Sequence, residues 1–277
     1  MPTIEEKAPN VDLTPREKRE VERRAPPRAA VVFETIRREA LGELERPAIS
    51  LLASGLAAGL AMGFSLLIPA VLYAHLPDAS WKPLIVNMGY PIGFLIVVIG
   101  RQQLFTENTL TVILPLLDGK DKLKILGQVL RLWVLVLVAN LVGAGLIALA
   151  FAHSGAFEPG IRDAMGALGR EAAAPAFNVL LLRGIFAGWL IALMVWLLPA
   201  AENQRPLIVL LMTYLVAMVG LSHIIAGSVE VLYLVATGAM PFLGYLLGFA
   251  LPVFIGNVIG GSSLVALLNY GQVVAEN

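Results

Sequence analysis

Six stretches of mostly apolar residues follow one another after a polar N-terminal region. A helix of about 20 apolar residues can cross the hydrocarbon core of a bilayer, and each stretch is long enough to do so. The stretches are residues 49–73, 83–117, 128–152, 175–199, 206–235 and 240–269. The pattern therefore predicts an all-α membrane protein with six transmembrane helices.

The second and fifth stretches are interrupted by polar residues near their middle. Residues 100–109 place charged and amide side chains between two apolar halves, and residues 220–230 do so with Gly, Ser, His and Glu. Non-helical backbone at membrane depth is tolerated only where it is buried in protein or lines a watery cavity. We predict that helices 2 and 5 are each broken into two half-helices, which indicates a pathway through the membrane.

The two breaks occupy equivalent positions if the first three and the last three spans are repeats. Because each half then contains an odd number of spans, the halves must have opposite orientations. This predicts inverted three-helix repeats whose broken helices meet near the membrane midplane.

The short loops indicate the orientation, because basic residues favour the cytoplasmic side. They are concentrated at the start of the first span and in the loop 118–127, whereas the loop 236–239 has none. An even number of spans returns the chain to its starting side. We predict that both termini are cytoplasmic.

Charge is concentrated before the first span, since residues 1–46 hold ten of the 20 basic and ten of the 20 acidic residues. The first thirty residues offer little to bury, whereas Phe33, Ile36 and Leu44 follow helical spacing. That spacing predicts an amphipathic helix along the membrane surface, with a solvated lead-in to the first span as the alternative. The predicted organisation is a disordered charged cytoplasmic tail, an amphipathic interfacial helix, a six-helix channel domain and a short cytoplasmic tail, at residues 1–32, 33–47, 48–270 and 271–277.

The composition excludes several classes of function. Hydrophobic residues make up 58% of the chain and charged residues 14%, and the mean hydropathy is +0.79, whereas soluble domains carry about 25% charged residues. The net charge is zero and cysteine is absent, which removes thiolate metal sites and thiol catalysis and gives no sign of a nucleic-acid partner. We expect the lipid bilayer as a partner and neither metal nor cofactor.

His223 is the histidine that the pattern places inside a helix break, while His75 and His153 fall at span ends. An imidazole changes charge near physiological pH and can donate a hydrogen bond or a proton to a permeating species. The alternative is a neutral, structural histidine that ties together carbonyls of the loop.

Four charged residues lie at predicted membrane depth, where an unpaired charge costs about 2.5 to 3.5 kcal/mol. Arg183 could pair with Glu230, and Arg101 could pair with Glu107 or Glu230. These pairs could be structural or could contact substrate. Arg101 also borders the first break, where it could attract an anion.

Three motifs carry a resemblance to a known family: LeuPheThrGluAsnThrLeu at 104–110, SerHisIleIleAlaGlySer at 222–228 and GlyAsnValIleGlyGly at 256–261. Together they resemble the formate/nitrite transporter family, most closely its divergent YfdC-like branch. The resemblance implies a homopentamer in a bacterial inner membrane, with an aquaporin-like pore in each protomer. It also implies that His223 is the central pore histidine and Thr106 the loop threonine, with Gln103 and Asn108 lining the same break.

The chain departs from the family at several pore positions. Gln103 stands where the family has an acidic residue, and Gly227 and Gly188 stand where asparagines are usual. The family lysine ahead of the fourth span has no counterpart, Arg170 being the nearest base. The resemblance therefore implies the fold and leaves the substrate open.

We predict a channel or transporter for small monovalent anions or their conjugate weak acids, with proton coupling through His223 as a further expectation. A pore for small neutral solutes and an intramembrane protein with a non-transport role are the alternatives. An enzyme is disfavoured, because a lone histidine without a second base or nucleophile is a poor catalytic site.

Overall fold

The computed structural model describes residues 11–275, apart from the side chains of Glu22, Arg23, Arg24, Asp118, Glu202, Leu264 and Val265. The described chain is helical throughout, without strands. Five helical runs in this range are long and apolar enough to cross a membrane: Ala48–His75, Lys82–Ile99, Lys122–His153, Phe177–Ala200 and Phe242–Ala275. Three shorter apolar helices lie at Phe105–Leu117, Arg205–Met218 and Ile224–Ala236.

The N-terminal region differs from the predicted disordered tail. Residues Pro15–Arg24 form a helix, α1, while residues 1–10 lie outside the described range. The hydroxyl of Thr14 accepts the backbone N–H of Glu17 at 3.4 Å, and the Glu17 carboxylate accepts the N–H of Thr14 at 2.8 Å. This reciprocal capping, with Pro15 in the first helical position, starts a helix in a segment that has little apolar surface.

The amphipathic helix α2 spans Ala29–Leu44 and begins four residues before the predicted start. One apolar face of it is buried within the protein and includes Phe33, whose ring centroid lies 5.7 Å from that of Tyr270, whereas Val31 and Leu41 are exposed. The apolar face therefore packs on the helical bundle, and neither a bare membrane-surface helix nor a solvated lead-in describes it.

The first half of the helical bundle, residues 48–153, contains seven α-helices. The first predicted span is divided into α3 and α4, and the second into α5, α6, α7 and α8. The third, α9, begins six residues before the predicted start, because the Asp121 side chain accepts the N–H of Lys124 at 3.3 Å and caps it. The bounds are α3 Ala48–Ala61, α4 Phe64–His75, α5 Lys82–Val86, α6 Pro91–Ile99, α7 Phe105–Thr111, α8 Leu114–Asp118 and α9 Lys122–His153.

The second half contains a helix that we expected to be a loop. Within the predicted loop 153–174, α10 spans Pro159–Ala173, begins with a proline and buries Met165 and Gly169. The sixth span includes two π-helical segments, at Tyr245–Ala250 and Ile259–Ala266. The remaining bounds are α11 Phe177–Leu197, α12 Arg205–Met218, α13 Ile224–Ala236, α14 Phe242–Gly244, α15 Leu251–Val258 and α16 Leu267–Ala275. The final helix continues through residues 271–275, which we had assigned to a short tail.

Glycines allow the closest helix crossings in each half. A Cβ on Gly143 of α9 would lie 2.9 Å from the carbonyl carbon of Gly59 in α3. A Cβ on Gly256 of α15 would likewise lie 2.9 Å from the Cα of Gly184 in α11. Small residues permit such backbone contact in membrane bundles. The first and third predicted spans therefore cross much as the fourth and sixth predicted spans do.

The predicted breaks in the second and fifth stretches are present. Helix α6 ends at Ile99 and α7 begins at Phe105, whereas α12 ends at Met218 and α13 begins at Ile224. Four intervening hydrogen bonds join equivalent backbone groups: Arg101 N–H to Val98 C=O and Gln102 N–H to Val97 C=O in the first break, and Gly220 N–H to Ala217 C=O and Leu221 N–H to Val216 C=O in the second. Both helices therefore end with the same capping motif.

The left-handed residue of that motif is Arg101 in the first break, with φ of 52°, and Gly220 in the second, with φ of 66°. Glycine adopts this conformation without a steric cost, whereas a residue with a Cβ is disfavoured by about 1 to 2 kcal/mol. The arginine at this turn therefore holds a strained backbone that the equivalent glycine avoids.

Candidate functional site

The two breaks bring Thr106 and His223 into contact. The Thr106 hydroxyl and the His223 Nε2 are 2.7 Å apart, and both residues are buried. Thr106 is the second residue of α7, and His223 directly precedes α13. The starts of two half-helices thus meet through one hydrogen bond.

The partners of the imidazole define its tautomer. Its Nδ1 accepts the backbone N–H groups of Ile225 and Ala226, each at 3.2 Å. An Nδ1 that accepts carries no proton, so the neutral ring holds its proton on Nε2 and donates it to Thr106. A doubly protonated ring would lose both caps and place a cation at the positive end of α13. The backbone partners of His223 are therefore amide N–H groups in the first turn of α13, not the loop carbonyls of the structural alternative.

Asn140 of α9 holds the first break in place. Its Oδ1 accepts the N–H of Phe105 at 2.9 Å, and its Nδ2 donates to the carbonyls of Gly55 at 2.8 Å and Gln103 at 2.9 Å. One buried amide thus satisfies the backbone groups of Phe105 and Gln103, which the break leaves open, and joins the break to α3 through the carbonyl of Gly55.

Asn257 of α15 holds the second break in the same way. Its Oδ1 accepts the N–H of Ile224 at 2.9 Å, and its Nδ2 donates to the carbonyls of Gly184 at 2.8 Å and Ser222 at 2.9 Å. The third sequence motif includes Asn257 without giving it a role, and none of the motifs includes Asn140. Each is an amide surrounded by apolar residues within its helix, and that signal could have identified both.

Phe94 is a further contact of the histidine that the sequence did not distinguish. It is fully buried, and its ring meets the imidazole of His223 edge-on, with centroids 4.9 Å apart and planes at 81°. A phenylalanine inside an apolar run resembles any core residue, so no local signal in the sequence identifies Phe94 as a contact of His223.

Two cavities lie beside the breaks and share no lining residue. The first cavity measures about 260 Å³ and the second about 120 Å³. Six lining positions of the first correspond to six of the second at one constant separation along the chain: Val98 with Ala217, Arg101 with Gly220, Gln102 with Leu221, Gln103 with Ser222, Asn108 with Gly227 and Thr111 with Glu230. His223 lines the second cavity.

Gln103 and Asn108 line the first cavity and are linked to α2. The Gln103 Nε2 donates to the Glu43 carboxylate at 2.7 Å, and the Asn108 Nδ2 donates to the Gln103 Oε1 at 2.9 Å. These two amides satisfy each other and anchor α2 at the break, so they leave few free groups for a substrate.

The structure does not form the predicted ion pairs. Arg101 lies 3.5 Å from the carboxylate of Glu39 on α2, because it stands at the end of α6 beside that helix, and its side chain is 69% exposed. Arg183 and Glu230 both line the second cavity. Within residues 11–275, no ion pair within 4 Å joins Arg183 to Glu230 or Arg101 to Glu107 or Glu230.

Broken helices whose half-helix N-termini meet in the protein interior are typical of membrane transporters. Residues 30–271 match the family model described as formate/nitrite transporter. The chain therefore belongs to the formate/nitrite transporter family, which confirms the predicted resemblance and agrees with a transporter rather than an enzyme.

The similarity to two named relatives covers most of the chain. The chain is 41% identical over 252 residues to the inner membrane protein YfdC of Escherichia coli (strain K12), covering 91% of this chain and 81% of that protein. It is 28% identical to the formate channel BtFdhC of Bacillus thuringiensis, covering 79% of this chain and 84% of that protein.

Two solved structures have the same fold. One is a pentameric formate channel with formate bound, at a TM-score of 0.70 and 20% identity, covering 82% of this chain and 98% of that one. The other is an FNT family ion channel, at a TM-score of 0.77 and 19% identity, covering 87% of this chain and 98% of that one.

Proposed function

We propose that this protein is a pore for small monovalent anions, which cross its constriction as their neutral conjugate acids. The observation that carries the proposal is the buried hydrogen bond between Thr106 and His223. His223 lines the second cavity, and Glu107, which follows Thr106 in the chain, lines the first. The formate channel of Bacillus thuringiensis and the formate-bound channel support a cargo of this class.

The proposed architecture is a set of six spans arranged as inverted three-helix repeats. The matched roles of Asn140 and Asn257, and the matched caps at Arg101 and Gly220, support equivalence of the two halves. An odd number of spans in each half then gives opposite orientations. We assign the chain to a bacterial inner membrane, with both termini and the first cavity on the cytoplasmic side.

We also propose a homopentamer in which each protomer has its own pore, supported by the pentameric relative. Mass measurement in detergent or lipid tests this assembly. A stable monomer that still transports would contradict it.

The physical reason for transport as a neutral acid is desolvation. An anion in the dry middle of a protein is penalised strongly, whereas its protonated form is not. The Nε2–H of His223 is oriented toward Thr106 and can donate to an acid that replaces the threonine hydroxyl. In this proposal His223 acts as a hydrogen-bond donor, because using its Nδ1 in a proton relay would break two caps of α13.

The test is flux into proteoliposomes of weak-acid anions, strong-acid anions of similar size and neutral solutes, measured across pH. Flux of weak acids should rise as pH falls, and strong-acid anions should pass poorly. The variant His223→Phe should lose weak-acid flux, whereas His75→Phe, at an exposed histidine, should keep it. Thr106→Val provides a second variant if His223→Phe does not assemble.

Two outcomes would contradict the proposal. If His223→Phe carries the anion at the wild-type rate with unchanged pH dependence, the histidine is a core residue without a role in permeation. If only neutral solutes pass, and pH has no effect, the protein is a pore of the alternative class.

A further inference from the structure

Two buried acceptor atoms in the first cavity have no hydrogen-bond partner. They are Oε1 of Gln102 and Oε1 of Glu107. Among the described residues, Asn269 Nδ2 is the one other buried side-chain atom in this condition. A buried acceptor without a donor costs about 1 to 3 kcal/mol. An unpaired carboxylate is costly to bury, so this setting favours the neutral, protonated form of the Glu107 carboxyl.

Helix α2 contributes two carboxylates to the cavity, and both are already engaged. Glu39 lies 3.5 Å from a nitrogen of Arg101. Glu43 lies 2.8 Å from a nitrogen of Arg46 and also accepts from Gln103. These groups face Glu107 across the cavity without supplying it with a donor.

Among the described residues, the other elements around Glu107 supply no cation that forms an ion pair with its carboxyl group. Arg205, at the start of α12, lines the same cavity but has no ion pair with Glu107 within 4 Å in the described part of the chain. Arg131 of α9 is exposed and donates to the carbonyl of Arg46. Arg183 of α11 lines the second cavity, and residues 251–266 contain no titratable side chain. Glu107 is thus an unpaired carboxyl in a buried setting.

Its position places it next to the constriction. Glu107 directly follows Thr106, whose hydroxyl is bonded to His223. The histidine itself holds its Nδ1 against two backbone donors, so a second protonation would disrupt the start of α13. Glu107 is therefore a titratable group of the first cavity that can gain and lose a proton without breaking a hydrogen bond of the fold.

We propose that Glu107 exchanges a proton with the permeating weak acid in the first cavity. This inference rests on the proposed function. An anion that enters the cavity takes the proton of the Glu107 carboxyl, so that one O–H bond breaks on Glu107 and one forms on the anion. The neutral acid then crosses the constriction, and the carboxylate regains a proton from the solution on the same side. The net movement is one anion and one proton.

The pH dependence of formate flux into proteoliposomes tests this step. Neutral formic acid in solution falls about tenfold for each unit that pH rises above the acid range. If Glu107 supplies the proton inside the cavity, wild-type flux should fall far less than about tenfold per unit between about pH 6 and pH 7, because the anion, whose concentration is nearly constant in this range, is then the species taken from solution. The variant Glu107→Gln should fall about tenfold per unit, following the neutral acid in solution.

Matched variants separate proton exchange from general damage. Glu39→Gln removes a carboxylate from the same cavity and should keep the shallow wild-type dependence, and Glu107→Asp should keep it as well. A shallow dependence in Glu107→Gln would overturn the inference, as would a tenfold dependence in the wild-type protein. If Glu107→Gln does not assemble, a tenfold dependence in the wild-type protein still overturns the inference, and a shallow dependence shared by the wild type and Glu107→Asp supports it.

A wild-type protein that carries no formate or other weak acid would refute the proposed function itself. In contrast, weak-acid flux that requires His223 but is indifferent to Glu107→Gln would refute only the proton exchange.

Discussion

The substitution Asn257→Ala tests whether one buried amide holds the second break together. It removes three hydrogen bonds, of 2.8 to 2.9 Å, to the backbone of Ile224, Gly184 and Ser222. Side-chain hydrogen bonds within membranes are worth about 0.6 kcal/mol on average, and buried ones in general about 0.5 to 1.5 kcal/mol. Three bonds therefore give an expected destabilisation of about 2 to 5 kcal/mol.

Thermal unfolding in detergent, followed by tryptophan fluorescence, measures this loss. A change of this size should lower the unfolding temperature by about 5 to 15 °C for a chain of this length. Asn140→Ala removes the equivalent three bonds from the first break and should have a similar effect. Asn269→Ala is the control, because the Nδ2 of Asn269 has no partner, and it should leave the unfolding temperature within about 1 °C of the wild type.

The result that would refute the reasoning is an Asn257→Ala protein that unfolds within about 1 °C of the wild type. If the unfolding temperature falls strongly in Asn257→Ala and is unchanged in Asn140→Ala, the two breaks are not energetically equivalent.

Two further predictions concern packing and pH. Gly143→Ala should destabilise the protein by about 1 to 3 kcal/mol, because the added Cβ meets backbone atoms of the first span at 2.6 to 2.9 Å. Gly145→Ala is the control and should be tolerated, since the nearest atom to its added Cβ is 3.9 Å away. Size-exclusion profiles recorded on heating measure the stability of both variants. Hydrogen bonds from Arg37 and Arg38 lower the pKa of Glu34 from 4.5 to about 2, so its stabilisation of α2 is complete above the ordinary value and is lost as pH falls toward about 2. Hydrogen exchange of α2 should show this loss on acidification in the wild type, and a wild-type profile identical to that of Glu34→Gln would contradict it.

The sequence determined the class of protein and the location of its breaks. Six apolar stretches of this length indicate membrane spans rather than a soluble fold. The polar residues at 100–109 and 220–230 indicate breaks, because polar groups at membrane depth require partners within the protein. Those signals are local in the chain, so they could be read without a structure. The capping pair Thr14 and Glu17 was equally local, and its spacing with Pro15 could have predicted the helix that we assigned to a disordered tail.

Only the tertiary structure decided which groups meet at the breaks. Thr106 and His223 are 117 positions apart in the chain, and nothing in either segment specifies that the histidine caps one half-helix while donating to the other. Arg101 was expected to find Glu107 or Glu230, yet it reaches Glu39 of a helix whose docking the sequence did not reveal. Pairing depends on distances that arise when the helices pack, because a charge or amide bonds to the nearest compatible group in space. Hydropathy along one chain carries no information about that distance.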